Sequence, residues 1–207
     1  MTLRIAPLAA LALAYSIGAI PVGFVVAWAF GIGDIRRHGS GNIGATNVLR
    51  TLGRLPGALT LVGDIAKGYL AVVVASALVS GQTSVEAAAG VAAIVGNCWS
   101  VFLWFRGGKG VATGLGVFLK LAPLATAPAA LVWLAVVMTF RYVSLASLLA
   151  AICVPLGALM LGRPPAIVVA CAVGAAIVVL RHRDNIARLL TGSERRLGHR
   201  AAATERP

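Results

Sequence analysis

The stretch Phe105-Arg106-Gly107-Gly108-Lys109-Gly110-Val111-Ala112-Thr113-Gly114 sets two cations among clustered glycines, between two long apolar runs. That composition suits an anion. Glycine admits positive φ and lets a ligand approach the main chain, so Gly107, Gly108 and Gly110 are expected to turn consecutive N–H groups into a nest for phosphate. Lys109 adds a point charge. A helix beginning near Val111 would aim its unpaired first-turn N–H groups at the same ligand. The run lacks the full G-x-x-x-x-G-K-[ST] pattern of nucleotide loops. A flexible loop carrying topology-setting charges is the other reading of the same residues.

Two further segments have the same chemistry. Gly39 to Asn47 offers Ser40, Asn42, Thr46 and Asn47 as neutral donors among three glycines, and Arg50 follows with a planar fork suited to bidentate phosphate binding. Such Ser/Asn/Gly runs also make ordinary turns. Arg181-His182-Arg183-Asp184-Asn185-Ile186-Ala187-Arg188 is a third cationic cluster, with Glu194 a lone acid among arginines. A basic juxtamembrane segment also suits lipid headgroups. The sequence holds no Ser-His-Asp order, no paired carboxylates and no metal-ligand spacing, which favours chemistry on a substrate that is already activated.

These segments are carried by an apolar chain. Hydrophobic residues make up 59% and charged residues 12% of 207 residues, too little polar side chain to cover a soluble globule. The expectation is an all-α, polytopic membrane protein of about seven transmembrane helices, with residues 1–200 as one domain and residues 201–207 as a disordered tail. The spans are Leu3 to Phe30, with Pro21 and Gly23 as kink points, then Leu55 to Ser80, Glu86 to Trp104, Val111 to Leu121, Ala122 to Thr139, Val143 to Leu161 and Pro164 to Leu180. The fourth reaches only about half of a ~30 Å core. Cys98, Cys153 and Cys171 fall in apolar segments and indicate neither disulfides nor zinc.

Cations decide the orientation. Arg36, Arg37, Arg50, Arg54, Arg106, Lys109, Arg141 and the arginines from Arg181 onward fall on one side, against Arg4, Lys120 and Arg163 on the other. The positive-inside rule puts the N-terminus outside, the C-terminus in the cytoplasm and the motif-bearing loops on the cytoplasmic face. The net charge of +12 is thereby assigned to topology rather than to nucleic acid. Asp64 and Lys67 lie inside a span at i, i+3, on one helix face, and each costs about 2.5–3.5 kcal/mol at mid-bilayer. They form either a structural ion pair or the floor of a water-accessible pocket. Intramembrane charge and a short, glycine-interrupted span also mark transport sites, so a small transporter of anions or phosphate esters is the rival reading.

Four segments taken in order, Gly39 to Arg50, Asp64-Ile65-Ala66-Lys67-Gly68, Phe105 to Thr113 and His182 to Leu189, resemble the motifs of the bacterial acyl-phosphate:glycerol-3-phosphate acyltransferase family. The resemblance implies transfer of a fatty acyl group from acyl phosphate to the 1-hydroxyl of glycerol 3-phosphate in the bacterial cytoplasmic membrane. No cofactor, metal, acyl-CoA or obligatory protein partner is implied. By the family pattern Ser40, Arg50, His182 and Asn185 support catalysis, and the island glycines bind glycerol 3-phosphate. Ser144 also resembles a site position, and Glu194 a structural one. The family usually has a histidine and a proline where this chain has Asn97 and Ser100, and asparagine cannot act as a general base.

Overall fold

The computed structural model describes residues 5–198, within which every regular element is helical. Arg4 and the expected disordered tail 201–207 lie outside the described residues. Helices α1 (Ile5–Ala19) and α2 (Val22–Ala29) form a 25-residue apolar stretch broken at Pro21, whose ring cannot continue the helical hydrogen bonding. After the first polar segment, α3 (Ala45–Leu52) is a short amphipathic helix within what the sequence suggested was only a loop. Then come α4 (Arg54–Val79) and α5 (Thr83–Cys98), the glycine island, and α6 (Val111–Leu121). The helices α7 (Pro123–Phe140), α8 (Val143–Met160) and α9 (Pro165–Arg181) complete the bundle. α10 (Arg183–Leu190) bends away from α9 by 61°.

Five of these stretches are long and apolar enough to cross a membrane, and the bent α9–α10 pair makes a sixth. α6 is the short apolar segment that the sequence predicted, 11 residues or about 16 Å. Its far end is fixed: the Arg163 guanidinium, in the turn after α8, donates to the Leu121 carbonyl at 2.9 Å. α8 is about 27 Å long. The shortfall of α6 therefore falls on the island side, and the island is recessed by on the order of 10 Å relative to the start of α8.

Small residues set the packing. Ala10, Ala14, Ala71, Ala75, Ala89 and Ala93 are fully buried around Val72 and Ile94, which lets backbones approach closely, as expected where lipid gives no hydrophobic drive between helices. A Cβ on Gly18 would stand 2.1 Å from the Ala93 carbonyl oxygen, and one on Gly116 would stand 1.9 Å from that of Ile65. Large apolar side chains such as Leu131, Met138, Leu159 and Met160 point outward. A second cluster, Ala27, Ile35, Ile43, Val48 and Leu103, seats the first polar segment on the bundle.

Candidate active site

The first polar segment is held from within. Asp34 caps the turn Ile35–Arg37 by accepting from the Arg36 N–H at 3.0 Å, and its carboxylate also grips the Arg36 guanidinium. Asn47, expected to bind substrate, has its amide committed instead. Its Nδ2 donates to the carbonyls of His38 (3.0 Å) and Asn42 (2.8 Å), and its Oδ1 accepts from the Ser40 N–H at 2.8 Å. Asn47 thus shapes the loop that presents Ser40. Asn42 Oδ1 accepts from the Gly44 N–H at 2.8 Å, leaving its amide N–H₂ for other partners. Arg50 leaves α3 toward the tail and donates from Nη2 to the Arg195 carbonyl at 3.2 Å, while its buried Nε has no partner among the described residues. Burial disfavours the Arg50 charge, and the neighbouring Arg195 adds to that effect.

The island corrects the expected nest. Gly107 and Gly108 do not use positive φ, and their N–H groups donate to the carbonyls of Cys98 (3.2 Å) and Asn97 (2.9 Å). Their own carbonyls accept from Arg181 at 3.1 and 3.0 Å, and the Arg181 guanidinium lies 5.4 Å from the Trp99 ring centre. Gly107 is needed for close packing, since a Cβ there would stand 2.1 Å from the Asn97 carbonyl oxygen, and it does not line the site. Among the island's glycines only Gly110 is left-handed, at φ +79°, and it starts α6 with no side-chain cap. The positive end of α6 is left facing the site as anticipated.

The two departures from the family pattern are both buried and bonded. Asn97 Oδ1 accepts from Lys67 Nζ at 3.0 Å, and Ser100 Oγ donates to the Ala19 carbonyl at 2.6 Å. Lys67 also pairs with Asp64 at 2.8 Å and donates to the Ile20 carbonyl at 2.6 Å, beside the Pro21 break. The i, i+3 pair is real, and it ties α4 to α5 and to the α1–α2 junction.

The α9–α10 bend brings in the third cluster. His182 Nδ1 lies 2.7 Å from the Val178 carbonyl, which can only accept, so Nδ1 carries the proton and Nε2 the lone pair. Burial, reinforced by Lys109, pushes His182 down to about 4, keeping it neutral at pH 7. Asn185 accepts from Lys109 and donates to Glu194 at 2.7 Å. Glu194 also accepts from Ser144 (2.7 Å) and Arg188 (2.7 Å). Burial alone would raise its pKa, but these three donors together lower it. Glu194 therefore pins the tail to α8 and α10. Burial brings Lys109 down to about 8.

These groups surround one cavity of about 410 Å³. Ser40, Asn42, Arg50, Lys109, His182 and Asn185 lie at its polar end, with Asp64 and Ser144. The other end is apolar, running between α6, α7, α8 and α9 past Phe118, Ala129, Trp133, Ala151, Val154 and Ala175. From Ser144 to Val154 it extends about 15 Å along α8. Buried Leu121, Ala122, Ala125 and Ala158 pack beyond Phe118 and Val154 along the same helices. Of the cations lining the cavity, Arg188 is paired with Glu194. Arg50, Lys109 and Arg195 have no carboxylate partner among the described residues.

The sequence placed Arg181 in the third cationic cluster but not as the clamp on the island, and it did not single out Arg195, whose carbonyl receives Arg50. No local signal separates them from the other basic residues of the tail. It also missed the apolar channel, whose lining comes from four helices distant in sequence.

The glycerol-3-phosphate acyltransferase family model matches residues 8–192. A glycerol-3-phosphate acyltransferase of Geobacter sulfurreducens is 49% identical over 185 residues, covering 89% of this chain and 94% of that protein. Glycerol-3-phosphate acyltransferase 2 of Moorella thermoacetica is 50% identical over 195 residues, covering 94% and 99%. The crystal structure of PlsY (YgiH), an integral membrane glycerol 3-phosphate acyltransferase, in its glycerol 3-phosphate form superposes with a TM-score of 0.88 at 41% identity, covering 93% of this chain and 96% of that one. Its lysophosphatidic acid form gives 0.86 at 40% identity, with 93% and 95% covered. With the motifs, the helical bundle and the site in agreement over nearly the whole chain, this protein belongs to the glycerol-3-phosphate acyltransferase family.

Proposed function

We propose that the protein transfers a fatty acyl group from acyl phosphate to the 1-hydroxyl of glycerol 3-phosphate, yielding lysophosphatidic acid and inorganic phosphate, the first acylation of phospholipid synthesis. One observation carries this reading: three cations that have no carboxylate partner among the described residues stand at the mouth of an apolar channel. That arrangement suits phosphate groups joined to, or reacting beside, a fatty chain. The hydroxyl oxygen attacks the acyl carbon, the bond from that carbon to the bridging phosphate oxygen breaks, and phosphate leaves carrying the hydroxyl proton.

The side chains divide the work. Arg50 and Lys109 neutralise charge gathering on the departing phosphate, with α6 adding its positive end. Neutral His182 presents Nε2 as acceptor to the reacting hydroxyl, beside the top of the channel. Asn185 and Glu194 hold Lys109, Ser144 and Arg188 in register. Ser40 hydrogen-bonds a substrate oxygen and forms no acyl-enzyme, since a mixed anhydride needs no protein nucleophile.

The site faces the cytoplasm of a bacterial inner membrane, with the N-terminus outside, in keeping with the cations. Buried apolar packing beyond Phe118 and Val154 favours transfer over passage of an anion. The test is purified protein in detergent given glycerol 3-phosphate with acyl phosphate, and separately with acyl-CoA. Lysophosphatidic acid should form with the first donor alone. Product from acyl-CoA only, or none from either, refutes the reading.

A further inference from the structure

The cavity is rich in donors and poor in strong acceptors. Arg50, Lys109, Arg188 and Arg195 donate only, and two carboxylates, Asp64 and Glu194, complete the charged lining. Glu194 is fully engaged by Ser144, Asn185 and Arg188. Asp64 is different. Its Oδ1 meets Lys67 at 2.8 Å from behind, Lys67 does not line the cavity, and Oδ2 accepts no hydrogen bond among the described residues. A carboxylate that lines the substrate chamber, paired with a buried ammonium through one oxygen, thus keeps its second oxygen free of hydrogen bonds among the described residues.

Its level in the fold is that of the island. α4 and α6 pack side by side, with Gly68 against Thr113 and Gly116 between Ile65 and Tyr69, and Asp64, one turn before Gly68, lines the cavity together with Val111 at the start of α6. Lys67 reaches Asn97, and a Cβ on Gly108 would lie 3.0 Å from Asn97 Nδ2. Asp64 therefore lies beside the island, in the lining of the cavity that His182 and the apolar channel share.

We infer that Asp64 accepts a hydrogen bond from the non-reacting C2 hydroxyl of glycerol 3-phosphate and so selects a polyol phosphate over a simple alkanol phosphate. The inference rests on the acyltransfer reading above. A glycerol phosphate bound there brings two hydroxyls into a desolvated site. The reacting one has His182 Nε2 and the donor's phosphate as acceptors, whereas the other needs a partner from the protein. A site built to bond a hydroxyl discriminates strongly against the analogue lacking it, because its own buried group is left unpaired. Lys67 is a positioning residue in this scheme: it pairs with the carboxylate and anchors it to Asn97 and Ile20.

The experiment compares glycerol 3-phosphate with 3-hydroxypropyl phosphate, which lacks the C2 hydroxyl, in wild type and in Asp64→Asn, using one acyl phosphate throughout. Wild type should lose about 10- to 150-fold in kcat/KM on removal of that hydroxyl, the range for a hydrogen bond to a charged group. Asp64→Asn should lose less than about 3-fold between the same two substrates. If wild type uses both substrates equally, the inference fails without reference to any variant. If Asp64→Asn discriminates as strongly as wild type, the hydroxyl has another partner and the inference also fails. Absence of turnover by wild type with glycerol 3-phosphate itself would instead sink the acyltransfer reading.

Discussion

Replacing Asp64 by alanine should damage the protein more than removing both members of the pair. Lys67 is 5% exposed and its ammonium has three acceptors: Asp64 Oδ1, Asn97 Oδ1 and the Ile20 carbonyl. Asp64→Ala leaves the charge buried among two neutral acceptors, and breaking a buried pair in this way costs about 3–5 kcal/mol. In Asp64→Ala with Lys67→Met the uncompensated charge is gone and most of the side-chain volume is kept. The Ile20 carbonyl still accepts from the Val22 N–H at 3.0 Å, so the orphan left behind is Asn97 Oδ1, worth about 1–3 kcal/mol. At roughly 2–4 °C per kcal/mol for a chain of this size, the single variant should unfold about 6–20 °C below wild type and the double variant several degrees above the single. Cys98 and Cys171 are free and buried, so a thiol-reactive dye in detergent reports the unfolding. A double variant no more stable than the single one would refute the claim that Lys67 depends on Asp64 for its charge.

Lys109, held near 8 by burial, loses its proton as pH rises through that value, so the KM for phosphate substrates should climb several-fold between pH 8 and 9. In Lys109→Arg that limb should vanish, because arginine stays charged. Gly107→Ala forces a methyl against the Asn97 and Cys98 backbone and should abolish activity with lowered thermal stability. Gly108→Ala meets the Asn97 side chain at 3.0 Å and Ile43 at 3.6 Å and should chiefly raise the KM for glycerol 3-phosphate. Arg50→Lys keeps charge but loses the fork, so kcat should fall by about 10²-fold with KM little changed, as when one transition-state donor is removed. Single cysteines at Thr51 and Thr191, both outside the spans, should resist membrane-impermeant labelling in intact cells, and labelling of either overturns the orientation.

Much of this protein was legible as sequence because the membrane makes composition informative. Long apolar runs admit little but helices, since backbone groups in lipid must be satisfied within their own segment. Pro21, the charged i, i+3 pair and the short apolar helix after the island were each readable in place, and each appears in the structure. Ser40, Arg50, Lys109, Asn185 and Glu194 could be named because polar residues between apolar runs are few.

What those residues do with their atoms was decided by packing. A glycine chosen for positive φ and one chosen for close approach look the same in sequence. Only the fold tells Gly110, the left-handed residue that opens α6, from Gly107, pressed against Asn97. Asn47 and Asn42 are alike as letters, yet the first spends its amide inside the loop and the second keeps its donors. Arg181 and Arg195 acquire roles from partners 73 and 145 positions away. The apolar channel exists only where four helices leave a gap, and the depth of the island depends on Arg163 fixing the far end of α6. Sequence alone determined that this chain is a helical membrane protein with polar, cation-bearing segments between its apolar runs, because those properties are local. Tertiary structure decided which donors, acceptors and voids face one another, because side-chain partnership across helices is set by packing at ångström scale and leaves no periodic trace along the chain.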